Sequence, residues 1–127
     1  MADPRFTEAI SLFNQQEWYA CHDGFEALWH ETAGAMRPVL QGILQLAVAQ
    51  LHRERGNLRG ATVLMGEGLG RLRQDAGPAF GLDLDGLRAA AAQHLQALQA
   101  SAQQPQLPPL ELLPAVELSP GTGEGCL

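Results

Sequence analysis

The sequence predicts an all-α protein, an antiparallel bundle of four to five helices with a Pro/Leu-rich extended C-terminal tail. Three observations carry this. Apolar residues recur at helical spacing in five successive segments. Short polar or glycine-containing breaks separate those segments, and short connections place neighbouring helices antiparallel. No segment shows the alternation with a period of two that marks a half-buried strand. The length of 127 residues suits one domain with its own core. The expected division is a helical bundle over 1–102 and, over 103–127, a tail that packs on the bundle and is mobile at its end.

The first helix starts at Asp3-Pro4, because Asp caps a helix N-terminus well and Pro suits the first helical position. Phe6, Ile10 and Phe13 form its apolar stripe, and Asn14-Gln15-Gln16 reads as a turn. The second helix runs from about Glu17 to Thr32 and Gly34 ends it. Trp18, Cys21, His22, Phe25, Leu28 and Trp29 share one of its faces. The third helix, about Pro38 to Arg53, is apolar over more than half its circumference and is therefore central. Its polar strip is Gln41, Gln45 and His52.

Gly56-Asn57 makes the next turn, with Asn57 as N-cap. Asn14 is likewise read as a cap residue. The fourth helix, about Leu58 to Gln74, buries Leu58, Ala61, Met65, Leu69 and Leu72. It also carries Gly60, Gly66, Gly68 and Gly70. Each interior glycine costs about 1 kcal/mol relative to alanine, so tertiary packing must hold this helix. The glycines allow a close approach to a neighbour. After the break at Gly77-Pro78, the fifth helix spans about Asp85 to Ala102 with Leu87, Ala91, Leu95 and Leu98 on one face. His94 reads as an edge residue. Beyond it, prolines 105, 108, 109, 114 and 120 exclude helix, while the interspersed leucines argue against free disorder. An extended strap follows from that conflict.

Cys21, Phe25 and Trp29 align with Ala61, Met65 and Leu69, each set opening the second helix of a hairpin. This is a tetratricopeptide-like arrangement of two hairpins.

The second and third helices also hold the candidate chemistry. His22 lies within the apolar face and Glu26 one turn later on its flank, a titratable pair that is costly to bury. The candidate polar site is His22, Glu26, Gln41, Gln45 and His52, with Tyr19 and Trp29 as candidate pocket lining. Along one helix His22 and His30 stand about 12 Å apart, so one ion cannot bind both. Whether a metal binds, and any cofactor, stay open at this level. Cys21 lies on the apolar face and reads as a core residue rather than a nucleophile.

The formal charge of -6, without a basic block, argues against nucleic-acid binding. No apolar run is long enough for a membrane span, and no signal-peptide pattern is present, so the cytoplasm is expected. The functional expectation is a binding or interaction module, with a homo-oligomer or a protein as partner. The alternative is a hydrolase-like or metal-assisted enzyme using His22, Glu26 and His52.

Several motifs occur in order. They are Phe6, Ala9, Leu12, Phe13 and Asn14; His22, Glu26 and Trp29; Gln41-Gly42-Ile43-Leu44-Gln45-Leu46-Ala47; His52; and Gly56-Asn57-Leu58-Arg59-Gly60-Ala61. Over about residues 6–73 this resembles the family domain of unknown function 309, which implies a small all-helical fold and no assigned reaction. Asp23 stands where the family usually has Glu, and Gly24 where it often has a bulky residue.

Overall fold

The computed structural model describes residues 3–72, 80–100 and 107–114. Five helices follow in order: α1 (Pro4–Asn14), α2 (Trp18–Glu31), α3 (Met36–Glu54), α4 (Leu58–Leu72) and α5 (Leu84–Ala100). No strand occurs among the described residues, only an isolated antiparallel bridge between Leu82 and Pro114. The fold class read from the sequence is therefore correct. None of the described helices is long and apolar enough to cross a membrane.

Local signals set most of the helix ends. The Asp3 carboxylate accepts the Arg5 N–H at 2.9 Å, with Pro4 in the first turn. Gly34 and Gly56 take φ of 75° and 81°, the left-handed conformation that closes the loops after α2 and α3. The Asn57 side chain accepts the Gly60 N–H at 3.0 Å and caps α4, as expected. α3 starts at Met36, two residues before Pro38. A proline in the first turn still sits among N–H groups that have no intrahelical partner. The residues expected to end the fourth helix, the break at Gly77-Pro78 and the end of the fifth at Ala102 lie outside the described residues.

The helices pack in chain order, α1 on α2, α2 on α3, α3 on α4 and α4 on α5, with α3–α4 the most extensive contact. Cys21 and Phe25 on α2, and Ala61, Met65 and Leu69 on α4, are all buried. The two aligned sets thus belong to the two helices that pack on α3. The α3–α4 contact rests on glycine. A Cβ on Gly68 would lie 2.9 Å from the Gly42 carbonyl oxygen, and one on Gly42 would lie 3.0 Å from that of Gly68. Gly66 and Gly70 have no such neighbour. Leu58 is not buried as expected: it sits at the start of α4 and is 37% exposed.

Aromatic contacts join α1 to α2 and to the residues that lead into α5. Phe13 meets Trp18 edge to face at 5.0 Å, and the Trp18 indole N–H donates to Glu54 at 2.7 Å. Phe6 meets Phe80 with the rings tilted by 41° and their centroids 4.9 Å apart, and Phe80 takes a positive φ of 56°.

Residues 107–114 have no helix and lie against this layer. Leu110 and Leu112 are buried, while Glu111 and Leu113 between and after them face solvent. The expected tail segments 103–106 and 115–127 lie outside the described residues.

Candidate functional site

The α2 face carries the densest polar chemistry. His22 follows Cys21 on the helix, and its side chain is 29% exposed. It is therefore at the rim of the apolar face, not within it. Trp18, Cys21, Phe25 and Leu28 fill the buried side. His22 Nδ1 lies 3.4 Å from the Asp23 carboxylate and 4.0 Å from that of Glu26. His30 Nε2 approaches the other oxygen of Glu26 at 3.9 Å. One ligand atom each from His22, Asp23 and Glu26 lies within 4.8 Å of the others. Asp23, noted above only as a departure from the family pattern, belongs to this group. The signal that could have found it is its i,i+3 spacing to Glu26, which puts the two carboxylates on one side of the helix.

The remaining candidates turn elsewhere. Gln45 accepts from Arg71 Nε at 2.9 Å and donates to Glu67 at 3.2 Å, both on α4. His52 Nδ1 accepts from the Asn57 amide at 3.1 Å, at the loop before α4. Gln41 is half-buried on the same side of α3. Among the described residues no hydrogen bond or ion pair joins His22 or Glu26 to Gln41, Gln45 or His52. Tyr19 is 66% exposed. Trp29 is half-buried beneath the Arg37 guanidinium, whose carbon is 3.9 Å from the ring centroid. Tyr19 and Trp29 are about 15 Å apart by helical rise, too far to line one small pocket together.

Cys21 is fully buried, and its thiol donates to the Trp18 carbonyl at 3.3 Å. Burial pushes the thiol pKa up to about 12, so it carries no nucleophilic thiolate near neutral pH.

A cavity of about 550 Å³ opens at the other end of α2. Phe6, Leu28, Leu40 and Phe80 supply its apolar lining, and Asp3, Arg5 and Glu31 its charged lining. The guanidinium of Arg5 bonds Glu31 at 2.7 Å and Asp3 at 2.8 Å. These hydrogen bonds hold both carboxyls below the usual carboxylate range and raise the arginine. Its charge is thus already neutralised by two carboxylates.

The tail uses two residues that the sequence placed differently. Asn14 is neither a cap nor a turn residue. Its amide donates to the Leu112 carbonyl at 2.9 Å and accepts the Leu112 N–H at 2.7 Å. His94 is not at an edge: it is 2% exposed, and its Nε2–H donates to the Pro108 carbonyl at 2.8 Å. That bond sets the tautomer, and Nδ1 is buried with no partner among the described residues. Burial lowers the His94 pKa, the Pro108 bond opposes this, and the Arg53 charge adds to the lowering.

Fold and site together define a small protein of sequentially packed helices with a histidine–carboxylate patch on its second helix. Residues 6–64 match the family described as Domain of unknown function (DUF309). The match runs from α1 into α4 and includes Asn14, His22, Asp23 and Glu26. It does not include α5 or the strap. No curated protein matches the chain.

Proposed function

We infer that the chain is a small helical binding module and that His22, Asp23 and Glu26 form its ligand site, which takes a divalent cation. The observation that carries this is the convergence of three ligand atoms within 4.8 Å. Four ligands arranged tetrahedrally at about 2.1 Å from an ion stand about 3.4 Å from one another. The His22–Asp23 separation of 3.4 Å already meets that spacing, while Glu26, 4.0 Å from His22 and within 4.8 Å of Asp23, has to move closer on binding. One imidazole and two carboxylates suit a borderline ion such as Zn²⁺ better than Mg²⁺, which favours oxygen alone. Three protein ligands leave a coordination position for water or for a partner's acidic group.

The enzyme alternative needs His52 beside Glu26, and His52 bonds Asn57 instead. The two aligned sets lie on the two helices that pack on α3, which supports the tetratricopeptide-like reading, an architecture suited to a protein partner or a second copy. The acidic charge speaks against a nucleic-acid partner, and the free, buried Cys21 suits the cytoplasm. A bundle over 1–102 with a separate tail over 103–127 remains the proposed organisation.

Calorimetric titration with Zn²⁺ tests the site. Wild type binds one ion, and His22→Ala and Glu26→Gln each weaken binding at least about tenfold. His94→Gln leaves it unchanged. Equal binding by wild type and the His22 variant would overturn the assignment.

A further inference from the structure

We propose that the groove formed by the end of α1, the residues leading into α5 and α5 itself is a peptide-reading groove. It takes an extended leucine-x-leucine segment of a partner protein, and residues 107–114 are its resident occupant. This rests on a different surface from the cation site and does not depend on it.

The groove reads main chain. Asn14 engages both the N–H and the carbonyl of Leu112, at 2.7 and 2.9 Å. The Asp83 N–H donates to the Leu113 carbonyl at 2.8 Å, and His94 donates to that of Pro108 at 2.8 Å. Those bonds use atoms that any extended segment offers, as in strand addition. Side-chain selection comes from two sockets only, which bury Leu110 and Leu112 completely or nearly so. The residues between and after them, Glu111 and Leu113, face solvent, so one face of the segment is left unread.

The occupant is held as a ligand is held. It has no helix of its own, and Pro108-Pro109 restricts it to extended conformations before it docks, which lowers the ordering cost. The side chains that grip its backbone, Asn14 and a neutral His94, carry no charge. A phosphorylated or strongly charged partner therefore gains nothing from them, whereas a neutral leucine-bearing segment fits. The resident segment belongs to the same chain as the groove, so its docking is intramolecular and a partner must displace it.

The test uses the full chain and a fluorescent peptide with the sequence of residues 107–114. In a Leu110→Asp/Leu112→Asp chain the resident segment is released. Anisotropy should show this chain binding the peptide at least about tenfold more tightly than wild type. Adding Asn14→Ala should remove at least about tenfold of that affinity. A released chain with wild-type helical circular dichroism that binds no peptide, or binds it no better than wild type, overturns the proposal. Hydrogen exchange on wild type decides the matter even if the double variant does not fold. The Leu112 amide should exchange through a local opening, well ahead of the α3 core amides. Exchange of Leu112 only together with α3 would overturn the proposal.

Discussion

The exposed face of α2 and the groove under residues 107–114 are opposite kinds of polar region. On α2 the polar groups are close in sequence, partly solvated and adjacent to one another on one helix. In the groove His94 is buried and Asn14 half-buried, and the two are far apart in sequence, each set against main chain. The first region costs little to keep and is free to take a ligand. The second is costly to leave unpaired, and its bonds to the strap main chain contribute to the fold itself. A titratable cluster on a helix face is thus a poor guide to where polar groups matter for stability.

The largest expected effect breaks the strap from the layer. Leu110→Ala should destabilise the protein by about 3 kcal/mol in urea unfolding, the usual cost of emptying a leucine socket. A loss under about 1 kcal/mol would mean that the strap contributes nothing to the core. Asn14→Ala comes next, at about 2 kcal/mol, since it leaves the Leu112 N–H and carbonyl without partners. Asn14→Asp should recover part of that loss, because its carboxylate still accepts the N–H.

The pH dependence is smaller and has a definite sign. His94 is neutral more readily when folded than when unfolded, where its pKa is near the ordinary 6.5. The unfolded chain therefore binds more protons in the window below 6.5, and stability falls as pH drops through it. The contribution is complete above that window, and the fall levels off below the depressed folded value. His94→Gln should flatten this slope in a pH series of thermal melts. An unchanged slope would assign it to other groups.

The smallest effect sharpens the contrast from the other side. His22→Ala and Glu26→Gln should each change stability by less than about 0.5 kcal/mol without added metal. With Zn²⁺ present, wild type should gain thermal stability and the variants should not. A large metal-free loss would make the α2 group structural, like the groove.

How much of this was legible in the sequence differs by residue. The helix starts at Pro4 and Leu58 follow from caps within three residues, and the buried faces of α2 and α5 follow from spacing along one helix. His22 and Glu26 could be paired on the same ground, although their solvation could not. Gln45 and His52 were placed on the correct strip of α3. Their partners on α4 and at Asn57 depend on how α4 lies across that strip, which the Gly42–Gly68 contact sets. Gln50, 5% exposed, gave no signal at all because it sits among leucines and alanines of the central helix.

Spacing along the chain is enough to place the helices, their apolar faces and the His22–Glu26 pair. These depend on interactions within about four residues, where a fixed helical geometry converts spacing into position. Only the tertiary structure decided the role of Asn14, whose partner Leu112 lies 98 positions away, and the burial of His94 beneath Pro108. A side-chain amide or imidazole can satisfy any exposed backbone group, so its residue type does not name its partner. The path of the whole chain brings the two together.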